Sequence, residues 1–234
     1  MRGSRGLLVV VMAVFVGGCG TQTAGELQSD SPSVDLENAR SVRADLRMGA
    51  GELKVTGGAD RLMEGDFSYN VAEWKPKLNY DVSGTTGELS VRQGQGKGIP
   101  GGNLRNKWDL RFNDDVPTEM VVEMGAGESD LDLDSLDLTG LTLHMGAGKT
   151  TVDLTGDYAH SFDSSIEGGV GEATVRLPSA VGVKVNAEGG LGKINAEGLQ
   201  RQGQAYVNNA YGDSDVTLNV DVQGGVGQIN LGVV

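Results

Sequence analysis

The stretch of the chain that decides its fold reads Leu141-Thr142-Leu143-His144-Met145-Gly146-Ala147-Gly148-Lys149-Thr150-Thr151-Val152-Asp153-Leu154. Apolar side chains recur at every second position on both sides of the glycine pair, as expected for strands. Before the pair they fall on odd positions, such as Leu143 and Met145, and after it on even positions, such as Val152 and Leu154. A slip of one residue turns the faces of a strand over unless the backbone bends or bulges there, and glycine permits both. The pair therefore predicts a corner at which the chain keeps the same face inward.

The same pattern occurs six times, which indicates a repeated structural unit. The last glycines of the six copies are Gly51, Gly127, Gly148, Gly171, Gly192 and Gly227. Three successive intervals of 21, 23 and 21 residues separate Gly127 from Gly192. A unit of this length at near-constant period is typical of a solenoid, in which each turn stacks on the last. Degenerate copies around Gly87 and Gly212 are predicted to fill the two wider intervals.

The predicted fold class is all-β, a β-solenoid of stacked short strands with glycine corners. Inward residues are expected to form ladders from turn to turn. The predicted ladders are Leu131, Val152 and Val175, and Leu133, Leu154 and Leu177. An antiparallel β meander or sandwich is the alternative, because a glycine-rich turn also changes the phase of alternation. The solenoid is favoured because both arms and the glycine pair recur together.

The first 18 residues are predicted to be a lipoprotein signal peptide. Two arginines precede an apolar run from Leu7 to Val16, which is shorter than the roughly 20 residues needed to span a bilayer. The run ends in Gly17-Gly18-Cys19, which resembles the lipobox of bacterial lipoproteins, where the cysteine becomes the lipidated first residue of the mature chain. Cys19 is therefore the predicted lipidation site, and as the only cysteine it can form no intramolecular disulfide.

The rest of the chain divides by composition. Its predicted segments are a flexible tether at residues 19–33, a repeat β domain at 34–234, an N-terminal part of that domain at 34–118, and regular repeats at 119–234. The tether is polar and has no apolar periodicity. In the N-terminal part, an aromatic cluster around Phe67, Tyr69 and Trp74 is expected to cap the first turn. The glycine-rich segment from Gly94 to Gly102 is predicted to be a loop.

The net charge of the chain and the spacing of its glycine motifs argue against binding of nucleic acid, anionic lipid or nucleotides. The chain carries a formal net charge of −13 at pH 7, which repels nucleic acid and anionic lipid, so any membrane contact is expected through a lipid anchor. The run Gly146 to Thr151 resembles the end of a phosphate-binding loop, but Leu143 stands where that motif needs a glycine, and a strand follows instead of a helix. We therefore predict no nucleic acid, nucleotide or cofactor.

Acidic residues alternate along one stretch of the repeats. Asp130, Asp132 and Asp134 are separated by leucines, so their carboxylates share one strand face. A solvated acidic face is the main interpretation, and weak Ca²⁺ binding by these three residues is the functional one, because that ion prefers oxygen ligands. Only His144 and His160 could act as histidine bases, and neither is recognisably paired with a serine or cysteine. His144 falls at a polar repeat position that Glu123 and Glu167 occupy in neighbouring units, so it is expected on the surface. We predict no catalytic residue and no enzymatic activity.

Three segments together carry a family resemblance. They are Met48-Gly49-Ala50-Gly51-Glu52-Leu53, Tyr69-Asn70-Val71-Ala72-Glu73-Trp74-Lys75-Pro76, and Gly168-Gly169-Val170-Gly171-Glu172. This combination resembles the toast-rack family of bacterial envelope proteins over about Val34 to Val234. The resemblance implies a β-solenoid fold related to that of adhesin-like proteins, and it supplies no catalytic residue.

These features predict a lipid-anchored, extracytoplasmic protein of the cell envelope. Its expected role is that of a non-enzymatic, adhesin-like or scaffolding module that binds an envelope protein or a glycan. One alternative is an accessory regulator of an envelope-stress signalling system that contacts a membrane sensor. Another is a carbohydrate-active enzyme, because solenoids can carry pairs of carboxylates.

Overall fold

A computed structural model describes residues 24–96 and 102–234 and shows an all-β protein, as predicted. Its strands are β1 (Gln28–Asp30), β2 (Ser33–Val34), β3 (Ser41–Thr56), β4 (Met63–Tyr69), β5 (Lys77–Ser83), β6 (Thr86–Arg92), β7 (Asn106–Phe112), β8 (Thr118–Asp132), β9 (Leu138–Asp153), β10 (Phe162–Leu177), β11 (Gly182–Glu197), β12 (Gln200–Gln202), β13 (Ala205–Val207) and β14 (Thr217–Val233). One 3₁₀ turn, Ala72–Trp74, is the only helical element in this part of the chain. The described residues contain no helix that is long and apolar enough to span a membrane. The predicted signal peptide and Cys19 lie outside the described residues.

The six glycine-pair copies lie on six strands that form one parallel, in-register stack. Their order is β3-β8-β9-β10-β14-β11. The predicted stacking of glycine corners is confirmed, and the parallel pairing excludes a meander for these strands. Two details differ from the prediction. Each strand runs unbroken for 15 to 17 residues through its corner, and β14 lies between β10 and β11, so the last copy does not stack in chain order.

Both arms of each strand turn their apolar side chains toward the same core. On β9, Leu143 and Met145 before the corner are buried, and so are Thr150 and Val152 after it. The change of phase at the glycine pair is therefore real, and both arms contribute to one hydrophobic cluster. The first predicted ladder is confirmed by the register between β8, β9 and β10. The second continues it just past the ends of β8 and β9, where Leu133 N donates to the Asp153 carbonyl oxygen and Leu154 N to the Arg176 carbonyl oxygen. The six members of the two ladders, Leu131, Leu133, Val152, Leu154, Val175 and Leu177, have no exposed side-chain surface.

The corners require glycine for two separate reasons. The second glycine of each pair has a positive φ, for example 138° at Gly148, which L side chains rarely adopt. The strands also approach so closely that a Cβ would overlap a backbone carbonyl oxygen of the adjacent strand. This applies to Gly127, Gly148, Gly171, Gly192 and Gly227. No other residue type satisfies both conditions.

The N-terminal part of the domain covers the β3 end of the stack. Strand β6 pairs with the first arm of β3, β7 pairs with its second arm, and β4 and β5 extend these two pairs outward. The aromatic cluster lies here, with the rings of Phe67 and Trp108 in edge-to-face contact at a centroid distance of 5.4 Å. The predicted degenerate copies are wrong, because Gly87 on β6 pairs with the first arm of β3 and Gly212 lies in a turn.

The predicted tether is also wrong for the residues that the structure describes. Gln28–Asp30 form β1 and pair with β4 in antiparallel fashion, and the Tyr69 hydroxyl donates a 2.7 Å hydrogen bond to Asp30. Such an edge strand is held by backbone pairing and a polar contact, so it needs no apolar alternation in its sequence. Residues 19–23 of the predicted tether lie outside the described ranges. So do residues 97–101 of the predicted glycine-rich loop.

Candidate functional site

A row of polar side chains crosses the stack two residues before the first glycine of each corner. We call the five members that line one groove the polar row, and they are Arg47, Glu123, His144, Glu167 and Gln223. Glu188 occupies the same position on β11, in register with Gln223. The in-register pairing of the strands places these residues side by side, and the alternation along each strand turns them away from the core. Identical position within the repeat thus produces one continuous polar surface.

Neighbouring members of the polar row pair with each other. The guanidinium of Arg47 lies 3.0 Å from the carboxylate of Glu123, and His144 Nδ1 lies 3.0 Å from Glu167 Oε2. Arg47 also contacts Asp45 at 2.7 Å on its own strand. The hydrogen bond from Arg47, helped by the charge of Arg92, lowers the pKa of Asp45 from its ordinary value against an opposing effect of burial. Arg47 therefore offsets part of the negative charge of Glu123 and Asp45, and His144 gives Glu167 a polar partner.

The polar row forms one wall of an open groove, which we call the corner groove. Its volume is about 1590 Å³. The first glycines of five corners line it, and they are Gly49, Gly125, Gly146, Gly169 and Gly225. Because these positions carry no side chains, bare backbone is exposed along the groove. The half-buried ring of Trp74 and the exposed amide of Gln95 stand at its β3 end.

The shape and chemistry of the corner groove suit an extended, hydroxyl-rich chain. Five strands spaced roughly 4.8 Å apart give it a length of about 20 Å. Trp74 offers an apolar ring face with a polar edge, while amides and paired charges offer donors and acceptors along one side. The lining carries both signs of charge, from Arg47, Lys77 and Arg92 and from Glu123 and Glu167. A neutral polymer would find a surface of matching polarity.

The residues proposed for calcium lie away from the corner groove. Asp130, Asp132 and Asp134 are exposed on the outer side of β8 and just after it. Desolvation, followed by the charges of Asp132 and Asp153, raises the pKa of Asp134. Within residues 24–96 and 102–234 no three acidic, histidine or cysteine side chains are grouped to hold an ion. The calcium hypothesis therefore stays a prediction from sequence, and the melting temperature with and without millimolar Ca²⁺ tests it.

The two histidines occupy different environments. His144 belongs to the polar row, at the outward position predicted for it. His160 Nε2 lies 2.9 Å from the Leu138 carbonyl oxygen and its Nδ1 lies 3.6 Å from Asp137. His160 thus ties the turn before β10 to the start of β9. Neither histidine has a serine or cysteine hydroxyl or thiol among its hydrogen-bond partners in the described residues.

Sequence reasoning did not identify the corner groove. It placed Trp74 in an aromatic cap and His144, Glu123 and Glu167 on a surface, but it had no means of bringing these groups together. The structure does so because β5 and β6 fold back along β3, which carries the turn at Ala72–Trp74 to the end of the polar row. The only signal in the sequence was the recurrence of polar residues at one position of the repeat.

Comparisons with known proteins agree with this architecture. Stacked parallel strands with glycine corners and a groove along them define a rack-like class of β protein. The family model described as "N-terminal domain of toast_rack, DUF2154" matches residues 23–176, and the chain belongs to this toast-rack family. A comparison with curated proteins gives no match.

Solved structures add further similarities. A Clostridium sporogenes protein described as a "putative cell adhesion protein" shares 37% identity and a TM-score of 0.87, over 89% of this chain and 100% of that one. A Bacteroides fragilis "putative adhesin" is 11% identical over 91% of this chain and 100% of that one, with a TM-score of 0.30. A Parabacteroides distasonis "putative lipid binding protein" is also 11% identical, over 91% and 98%, with a TM-score of 0.28. The last two similarities are too low to support an argument.

Proposed function

We propose that the protein is a non-enzymatic, adhesin-like module of the cell envelope that binds a glycan along the corner groove. The groove carries the proposal, because it combines a length of about 20 Å, the half-buried ring of Trp74 and a polar wall with charges of both signs. An extended oligosaccharide presents hydroxyl groups along its edges and apolar ring faces, and these match the polar row and Trp74.

The family supports an envelope role. The relative with 37% identity is described as an adhesion protein, and it covers most of this chain. We propose a similar extracytoplasmic location here, with Cys19 as the site of a lipid anchor. The net charge of −13 opposes direct contact with anionic lipid, so the acyl chains would hold the protein at the membrane while the rack extends from it.

Binding of purified envelope glycans to the full chain tests the proposal. We expect Trp74→Ala to weaken binding about 5- to 30-fold, because an aromatic platform contributes on the order of 1–2 kcal/mol. Trp74→Phe should keep much of the affinity. Tyr211→Ala is a matched control, since Tyr211 is a partly exposed aromatic residue outside the groove. Equal binding by the wild type and Trp74→Ala would contradict the assignment of the groove.

The anchor is tested separately by fractionating cells. The wild-type protein should sediment with membranes, and Cys19→Ala should appear in the soluble fraction if acyl chains hold it. Membrane sedimentation of Cys19→Ala would contradict lipid anchoring at this residue but leave the groove proposal intact.

A further inference from the structure

The line of side chains that contains the polar row continues past β3 onto two more strands. Arg47 on β3 lies opposite Arg92 on β6, and Arg92 lies opposite Lys77 on β5. All three residues stand on the outward-facing side of their strands. We call these three residues the basic end, and they line the corner groove at the same end as Trp74.

Positive and negative charges are segregated along this line. From β5 to β11 its members are Lys77, Arg92, Arg47, Glu123, His144, Glu167, Gln223 and Glu188. The lysine and both arginines occupy the three strands at one end, and the three glutamates occupy strands beyond them. A ligand that lies along the groove therefore meets different charges at its two ends.

The three cations of the basic end share two carboxylates. Asp45 lies 2.7 Å from Arg47 and 3.2 Å from Arg92, and Glu123 lies 3.0 Å from Arg47. Like charges that lie opposite one another on paired strands destabilise a sheet, so an arrangement of this kind needs anions beside it. Asp45 and Glu123 supply that requirement only in part.

Lys77 has no carboxylate partner within the described ranges. The ion pairs of these residues include Arg47 and Arg92 but not Lys77. Three cations facing two carboxylates leave an excess of one positive charge, on a chain whose net charge is −13. The basic end is thus a cationic spot on an acidic protein.

The surroundings of the basic end add no further anion to the groove. In the adjacent outward row, Asp45 lies beside Ser90 and Asn79, which are uncharged. On the other side the lining consists of glycines and the amides of Gln93 and Gln95. Glu73, which precedes Trp74, is not among the residues that line the groove.

We propose that the glycan bound in the corner groove is acidic, and that the basic end holds its carboxylate or phosphate group. This inference rests on the proposed function, because it takes the groove as a glycan site. Arg92 contacts Asp45 through one nitrogen, and its side chain is half exposed. A guanidinium can bind two oxygens of an anion, and the Lys77 ammonium adds an unpaired charge. The apolar face of the same sugar would lie on Trp74.

The rest of the groove limits where the acidic group can be. Beyond Arg47 the polar row carries Glu123 and Glu167, which repel a second acidic group at those strands. Hydroxyl groups suit this part, since His144 and Gln223 offer uncharged donors and acceptors. The groove therefore fits a hydroxyl-rich glycan with its acidic sugar at the β3 end, and not a polymer charged at every sugar.

The first test compares three forms of purified envelope glycans for binding to the full chain. One form is unmodified, one has its carboxyl groups reduced to alcohols, and one has its phosphate groups removed. We expect one of the two modifications to weaken binding about tenfold or more, and which one does so identifies the acidic group. If both modified forms bind as tightly as the unmodified one, the acidic assignment is overturned and the glycan site stands. If no form binds, both proposals are overturned.

The second test changes single cations of the basic end. Lys77→Gln and Arg92→Gln should each weaken binding of the unmodified glycan about tenfold and reduce its dependence on NaCl concentration. Lys77→Arg should keep most of the affinity. Lys149→Gln is the matched control, because Lys149 is an exposed lysine that does not line the groove.

Combining the two tests separates a direct contact from a change in the fold. Loss of a contact to the acidic group should weaken binding of the unmodified glycan and leave binding of the form without that group unchanged. Equal loss for both forms, or equal affinities for Lys77→Gln and Lys149→Gln, would contradict the role of the basic end. Lys77 is the better residue for this comparison, because its replacement breaks no ion pair of the described residues.

Discussion

A side chain on Gly148 would overlap the backbone carbonyl oxygen of Gly127, the residue at the same place on the adjacent strand. Gly148 also has a φ of 138°. We therefore expect Gly148→Ala to lower the free energy of unfolding by about 3 kcal/mol or more, because backbone strain and a steric clash add. Urea unfolding followed by circular dichroism measures the change.

Substitutions at two other glycines distinguish backbone strain from the steric clash. Gly84 has a φ of 64° but open space around it, so Gly84→Ala should cost only about 1–2 kcal/mol. Gly232 lies on β14 without a positive φ and without close neighbours, so Gly232→Ala should change stability by at most about 0.5 kcal/mol. If all three variants lost the same stability, close approach of the strands would not be the reason for glycine at the corners.

At the β3 end of the stack, the side-chain amide of Gln93 caps the backbone of the last corner. Truncation to alanine removes the acceptor for Gly49 N and Ala50 N and one partner of Asn106. We expect Gln93→Ala to destabilise the protein by about 1–3 kcal/mol, the usual cost of leaving polar groups unsatisfied. Thermal unfolding measures it. Gln95→Ala, at an exposed amide two residues away, should have little effect, and an equal loss in both variants would argue against the cap.

Asp134 should make stability depend on pH in a defined direction. Its pKa is raised by desolvation and by Asp132 and Asp153, so the folded protein holds the proton more tightly than the unfolded chain does. Its contribution to stability is therefore complete below the ordinary pKa of 3.8 and is lost as pH rises through the higher folded pKa. At pH 7 the charged group is unfavourable.

Asp134→Asn should consequently stabilise the protein at pH 7. We expect a gain of about 0.2–1 kcal/mol, the range for exposed charge interactions, and a smaller gain or none near pH 3. Urea unfolding of both proteins at the two pH values measures the difference. Asp130→Asn, an exposed aspartate on β8 four residues earlier, is the control. If Asp134→Asn gained stability only at acid pH, the upward direction of the Asp134 pKa shift would be contradicted.

The arms of the repeat could be predicted because their information is local. The change from odd to even apolar positions around Gly146 and Gly148 identifies which side chains face inward. The structure places Leu143, Met145 and Val152 accordingly. Constant spacing of the repeats then implies the ladders. Both inferences need only the period of a strand and the conformational freedom of glycine.

The order of the strands could not be predicted in the same way. Strands β10, β11 and β14 carry nearly the same corner, and each could stack on either of the others. The structure places β14 between β10 and β11, and the β12–β13 hairpin lies in the connection between β11 and β14. The wrong assignment of Gly87 has the same origin, because Gly87 to Val91 reads like a second arm but pairs with a first arm.

The corner groove could not be predicted from the sequence for a different reason. Trp74 and His144 are far apart in the chain, and no periodicity connects them. They line the same groove because strand pairing on β3 returns the chain to the corner. The polar row itself was visible in part, since Glu123, His144 and Glu167 share one repeat position.

The interior place of β14 has a consequence for biosynthesis. The ribosome completes β11 before it makes β14, yet the finished rack has β14 between β10 and β11. Until residues 217–233 are available, β10 and β11 lack the neighbour that each has in the native protein. This region must therefore fold late, because it depends on contacts between distant parts of the chain. Until then β10 and β11 expose unpaired strand edges, which chaperones and proteases can bind.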